Sequence, residues 1–106
     1  MNTLPRSFQR FQQEYPKLWQ AYENLGAQAA EAGPLDDRTR ELIKLGMAAG
    51  VHSESAVHSH THRALEAGAT PAEIRHALML GITTLGFPTM MAALSWAQEA
   101  IDRHTG

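Results

Sequence analysis

The chain has 106 residues, 43% of them apolar and 19% charged, which fits one ordinary globular domain and excludes a disordered chain or a fibre. Nine Lys+Arg against eleven Asp+Glu leave a formal charge of −2, so there is no basic field to hold a phosphate backbone, and nucleic acid is not expected as a partner. Cysteine is absent, which removes disulfides, thiolate metal sites and cysteine nucleophiles, whereas three of the six histidines crowd into positions 58, 60 and 62.

No segment alternates with period two for long enough to read as a strand, and Pro and Gly divide the sequence into helical lengths, so the expected class is all-α. Ser7 is placed to cap a first short helix, with Phe8, Phe11 and Tyr15 on one face. Pro16 suits the first turn of a second helix, whose stripe is Leu18, Trp19, Tyr22 and Leu25. The pattern leaves open whether these are two helices or one bent helix. Five of the seven aromatics fall within residues 1–22, a concentration suited to packing on a body of small residues.

Ala32-Gly33-Pro34 closes that segment. Asp36 and Asp37 stand where a helix amino terminus favours acids, and the next helix reaches about Gly50. Leu42, Leu45 and Ala49 form its inner face, Ile43 and Met47 widen that face, and the near absence of charge after Glu41 predicts deep packing. Ser53 caps a fourth helix ending at Gly68. Thr70-Pro71-Ala72-Glu73 is a capping box that starts a fifth, expected to bury Ile74, Ala77, Leu78, Ile82 and Leu85. Gly86-Phe87-Pro88 breaks the chain before a last helix with Met91, Leu94, Gln98 and Ile101 along one face.

On the fourth helix His60 shares a strip with Ser53, Ala56, Val57, Ala64 and Ala67, small and mostly apolar residues, and is therefore expected to point inward. An inward imidazole beside small residues can serve a small-substrate pocket as proton donor or acceptor, or be a buried histidine satisfied by a carbonyl. His58 and His62 lie close to the opposite face, about 200° away on either side, with Glu54 one turn earlier. Glu54, His58 and His62 are candidate ligands for zinc or nickel, with a solvated polar face as the alternative. His52, His76 and His104 show no partner in the sequence and read as surface histidines.

The run Glu41-Leu-Ile-Lys-Leu, the stretch from His60 through Gly68-Ala-Thr-Pro-Ala-Glu-Ile74, and Leu85-Gly-Phe-Pro88 with Ala92 resemble the carboxymuconolactone decarboxylase family, which includes the AhpD-like alkylhydroperoxidases. The resemblance implies a single AhpD-like domain over 1–106, an all-α bundle of about five or six helices. Residues 1–32 would form an aromatic-rich helical segment and 35–102 the family core. It further implies a homo-oligomer, trimer or hexamer, with sites near subunit contacts. In the redox branch a glutamate precedes a Cys-x-x-Cys pair, and a histidine follows four residues after the second cysteine. These positions fall on Glu41, Ser53, Ala56 and His60, so the resemblance assigns Glu41 and His60 to the site while both thiols are missing. Dithiol peroxidase chemistry is closed to this sequence.

Three functions follow as expectations. The first is a cofactor-free lyase or isomerase acting on a small organic acid or lactone, with His60 as proton donor, Glu41 orienting it and Ser53 binding substrate. The second is a helical oligomer that binds a small ligand without chemistry, and the third a divalent-metal protein using Glu54, His58 and His62. Arg63 and Arg75 are available as substrate clamps. The amino-terminal residues lack an uninterrupted apolar region, and the Ala77–Ala93 stretch is too interrupted to span a bilayer, so a cytoplasmic protein without a membrane partner is expected.

Overall fold

The structure, a computed structural model, describes residues 6–105. All regular structure among them is helical: α1 Arg6–Glu14, α2 Pro16–Glu31, α3 Asp37–Gly50, α4 Glu54–Glu66, α5 Pro71–Met79 and α6 Phe87–Thr105, with one 3-10 turn at Leu80–Ile82. The chain divides into two compact units, one ending at Leu35 and the other beginning at Asp36.

In the first unit α1 and α2 are separate helices. Tyr15 between them leaves the helical region (φ −131°, ψ 64°), and Pro16 opens α2. Ser7 lies inside α1 rather than capping it. The aromatics pack mainly on one another: Phe8 and Phe11 meet Trp19 edge-on at 6.5 and 6.4 Å between ring centres, and the Tyr22 ring lies tilted 5.7 Å from that of Trp19. Leu18, Tyr22 and Leu25 of the expected stripe stay largely exposed.

The second unit is built on a hairpin of α3 and α4, with α6 packed against α4 and α5 against both α3 and α6. The starts of α3, α4 and α5 are capped as the sequence expects. Asp36 accepts from the Thr39 N–H at 2.8 Å, Ser53 Oγ from the Ala56 N–H at 3.3 Å, and Thr70 and Glu73 complete the capping box reciprocally at 3.1 and 2.9 Å. Two helix ends close with the same paired bonds. After α3, His52 N–H reaches Ala49 O and Ser53 N–H reaches Ala48 O; after α4, Gly68 and Ala69 bond to Leu65 and Ala64. This closure requires a left-handed residue, supplied by Gly68 (φ +97°) in the second case and by His52 (φ +57°) in the first, where its ring also meets Trp96 edge-on at 5.1 Å.

The core comprises Leu45, Ala48 and Ala49 of α3, Val57 and Ala64 of α4, Ala69, Ile74 and Leu78, and Ala93, Ala97 and Ile101 of α6. Its many alanines let the helices approach closely. Three expectations about faces are corrected. Ile43 and Met47 do not widen the inner face of α3: they are 42% and 65% exposed, because the buried stripe runs through Leu45, Ala48 and Ala49. Ile82 is exposed because α5 ends at Met79 and the tighter 3-10 turn rotates it off the buried face. On α6 the buried line is Met90, Ala93, Ala97, Ala100 and Ile101, so Ile101 of the expected face is buried while Met91 points outward.

Candidate functional site

Glu41 projects from the second turn of α3 and His60 from the middle of α4, and the hairpin brings them together. His60 Nδ1 and Glu41 Oε1 are 2.9 Å apart, a hydrogen bond in which the imidazole N–H donates to the carboxylate. Their side chains retain 19% and 18% exposure, so the pair is shielded but reachable from solvent. His60 sits at the flank of the inner face of α4, whose fully buried line is Val57, Thr61 and Ala64. With Nδ1 engaged, Nε2 is the ring nitrogen left for another molecule.

Ser53 holds a different position. Its Oγ caps α4 and its N–H closes the end of α3, so it joins the two helices of the hairpin. Seven residues separate it from His60, about 10 Å along the helix axis, and any molecule sharing both groups would have to span two turns. Arg75 donates to Gln98 Oε1 at 3.0 Å, and Gln98 in turn to Asp102 at 2.9 Å, a network that ties α5 to α6. Arg63 is exposed.

The outer histidines separate into two groups. His58 Nε2 meets Glu99 Oε1 of α6 at 3.1 Å, and Glu54 completes a first group of donors. His62 joins instead Glu66, four residues on, and His104 in the last turn of α6. The expected trio Glu54, His58 and His62 is thus divided, because α6 supplies a separate partner to each end of α4. Glu66 follows His62 by four residues, a spacing readable from sequence. Glu99 and His104 come from a distant helix and left no local signal.

Two open, mostly apolar hollows lie along α3, α5 and the 3-10 turn. One, of about 460 Å³, is lined by Thr39, Leu42, Ile43, Gly46, Glu73, His76, Ala77 and Leu80. The other, of about 200 Å³, shares Gly46, Ala77 and Leu80 and extends to Thr84 and Leu85. Neither is lined by Glu41 or His60. At the rim of the larger hollow, the Thr70 N–H bonded to Glu73 holds that carboxylate below its ordinary value of 4.5. The Thr39 N–H does the same for Asp36, whose ordinary value is 3.8.

A cysteine-free helical bundle with a carboxylate–imidazole pair across its α3–α4 hairpin is the class of protein these features define. The chain belongs to the carboxymuconolactone decarboxylase family, whose profile matches residues 16–99. It is 46% identical over 61 residues to an uncharacterized protein of Haemophilus influenzae, a match covering 58% of this chain and 54% of that one, so the match spans about half the relative's length. It is 28% identical over 79 residues to an uncharacterized protein of Methanocaldococcus jannaschii, with 74% of each chain covered. Among solved structures it resembles an apo carboxymuconolactone decarboxylase family protein from Legionella pneumophila. That likeness has a TM-score of 0.81 and 29% identity, over 94% of this chain and 88% of the other. Among the described residues no helix is long and apolar enough to cross a membrane.

Proposed function

We propose that the protein is a cofactor-free lyase or isomerase acting on a small organic acid or lactone, with His60 moving the proton and Glu41 orienting its ring. The observation that carries this reading is the 2.9 Å contact between Glu41 and His60, half-buried and still open to solvent. In a decarboxylation of a lactone acid the bond to the carboxylate carbon breaks and carbon dioxide leaves. The electron pair delocalises into the lactone carbonyl, and the carbon left behind takes a proton. His60 Nε2, turned away from Glu41, is the group assigned to deliver it, and Glu41 keeps the ring from rotating. Ser53 takes part only as a binding group for the far end of a substrate about two helical turns long.

The exposed apolar residues Ile43, Met47, Val51, Leu80, Phe87 and Met91 support self-association, and a second copy of the chain is the source proposed for the walls that close the Glu41–His60 site. With no cysteine in the sequence, no dithiol step is available to this chain.

A second reading is favoured by one observation: the hollows lie in the α3–α5 groove, away from Glu41 and His60. In it the protein binds a small apolar or acidic ligand without converting it. A panel of lactone acids and small organic acids, followed by thermal shift and by product analysis on the intact assembly, separates the two. Conversion that disappears in His60→Ala supports the lyase; a ligand that raises Tm and is recovered unchanged, with no substrate converted, supports the binding role.

A further inference from the structure

The group His62, Glu66 and His104 is not used by the Glu41–His60 site, and in it two imidazoles converge on a single carboxylate. Both imidazoles present Nε2 to one carboxylate oxygen, Glu66 Oε1, at 3.5 Å from His62 and 3.4 Å from His104. These separations exceed the roughly 2.7–2.9 Å of a good charge-assisted hydrogen bond. They match the edge of a tetrahedron around a zinc ion, about 3.3 Å when ligands lie about 2.0–2.1 Å from the metal. All three donor atoms fall within 4.8 Å of one another, and the two rings stand edge to face with centres 5.5 Å apart. The neighbouring group of Glu54, His58 and Glu99 contrasts on both counts. It has one imidazole against two carboxylates, and its His58–Glu99 contact closes to 3.1 Å, an ordinary ion pair.

The structure also explains how the donors are held. His62 and Glu66 occupy adjacent turns of one face of α4, four residues apart. His104 comes from the last turn of α6, which packs along α4. Two imidazoles and one carboxylate form a donor set for a borderline divalent ion such as zinc, with nickel and copper also suited; magnesium and calcium require oxygen donors.

We propose that His62, Glu66 and His104 form a zinc-class divalent-metal site that clips the carboxyl-terminal turn of α6 onto α4. Three protein ligands leave one coordination position open to water or to a group from another molecule. The metal holds two elements that are distant in sequence, so its binding free energy adds to the stability of the α4–α6 contact.

The test uses protein purified without a histidine tag and stripped with chelator, titrated with zinc by calorimetry and followed by differential scanning. One zinc is expected per chain, with Tm rising on the order of 10 °C at a hundredfold excess over Kd. His104→Gln and Glu66→Gln should each weaken binding at least ~10-fold and remove most of the Tm rise, while the metal-free Tm of each variant reports whether it folds. The paired variant His58→Gln/Glu99→Gln should bind zinc as the parent does. The proposal is overturned if zinc leaves the Tm of the parent unchanged. Binding that survives His62→Gln/His104→Gln, or that is lost in His58→Gln/Glu99→Gln, would overturn it equally. A Tm rise with magnesium equal to that with zinc would also count against it, because nonspecific charge neutralisation would then account for the effect.

Discussion

Thr61 offers the most quantitative test of how the bundle is held together. It lies at the centre of α4 with its side chain fully buried between Val57 and Ala64, and its Oγ1 has no hydrogen-bond partner. A buried hydroxyl without a partner loses its bonds to water and gains nothing in return, a cost of about 1–3 kcal/mol. Thr61→Val replaces that hydroxyl with a methyl group of similar size, and Thr and Val differ little in helix propensity. The substitution is therefore expected to stabilise the protein by about 1–2 kcal/mol, since part of the gain is offset by small differences in fit. With a shift of about 4–8 °C per kcal/mol for a domain of this size, Tm should rise by roughly 4–16 °C. Thr61→Ser is the control: it keeps the hydroxyl, removes a buried methyl, and should cost about 1 kcal/mol. Urea unfolding of the three proteins at equal concentration, with scanning calorimetry in parallel, measures both differences. A Thr61→Val protein less stable than the parent would refute the reasoning and assign the hydroxyl a partner inside the core.

Three further outcomes follow from the same contacts. Asp36 and Glu73 have carboxylates held below their ordinary values of 3.8 and 4.5 by backbone N–H donors, so their contribution is complete above those values and is lost as pH falls through the lower folded-state values. Between about pH 5 and pH 2 the parent should therefore lose more stability than Asp36→Asn/Glu73→Gln, and parallel acid-unfolding curves would contradict this. Ser53→Ala should lower stability by about 1 kcal/mol in urea unfolding through the lost cap, whatever it does to turnover; unchanged stability would show that the cap contributes nothing. Size exclusion with light scattering at micromolar concentration should find more than one chain per particle, because so many large apolar side chains are left exposed, and a clean monomer would contradict that expectation.

The helix boundaries were legible because each carries a local chemical mark: Pro16, Asp36, Ser53 and the Thr70–Glu73 box stand at the starts of α2 to α5 as their side-chain chemistry requires. Faces were less legible. On α3 the expected inner residues Leu45 and Ala49 are buried, but Ile43 and Met47, read as widening that face, are exposed; on α6 Ile101 is buried while Met91 points outward. The Glu41–His60 contact spans two helices and cannot be read from helical spacing; family positions brought the two residues together, and the inward strip on α4 pointed independently to His60. His104 lay beyond reach for the same reason: its partners are on α4, some forty residues earlier, and α6 had first to be folded along that helix.

The rate of His60→Ala on a lactone acid that the parent converts is the most direct test of the proposed chemistry. A general acid contributes typically about 10²–10⁴-fold, so kcat should fall by at least ~100-fold while Tm and assembly stay those of the parent. An undiminished rate in the folded variant would contradict the assignment and leave Glu41 and His60 as a structural pair.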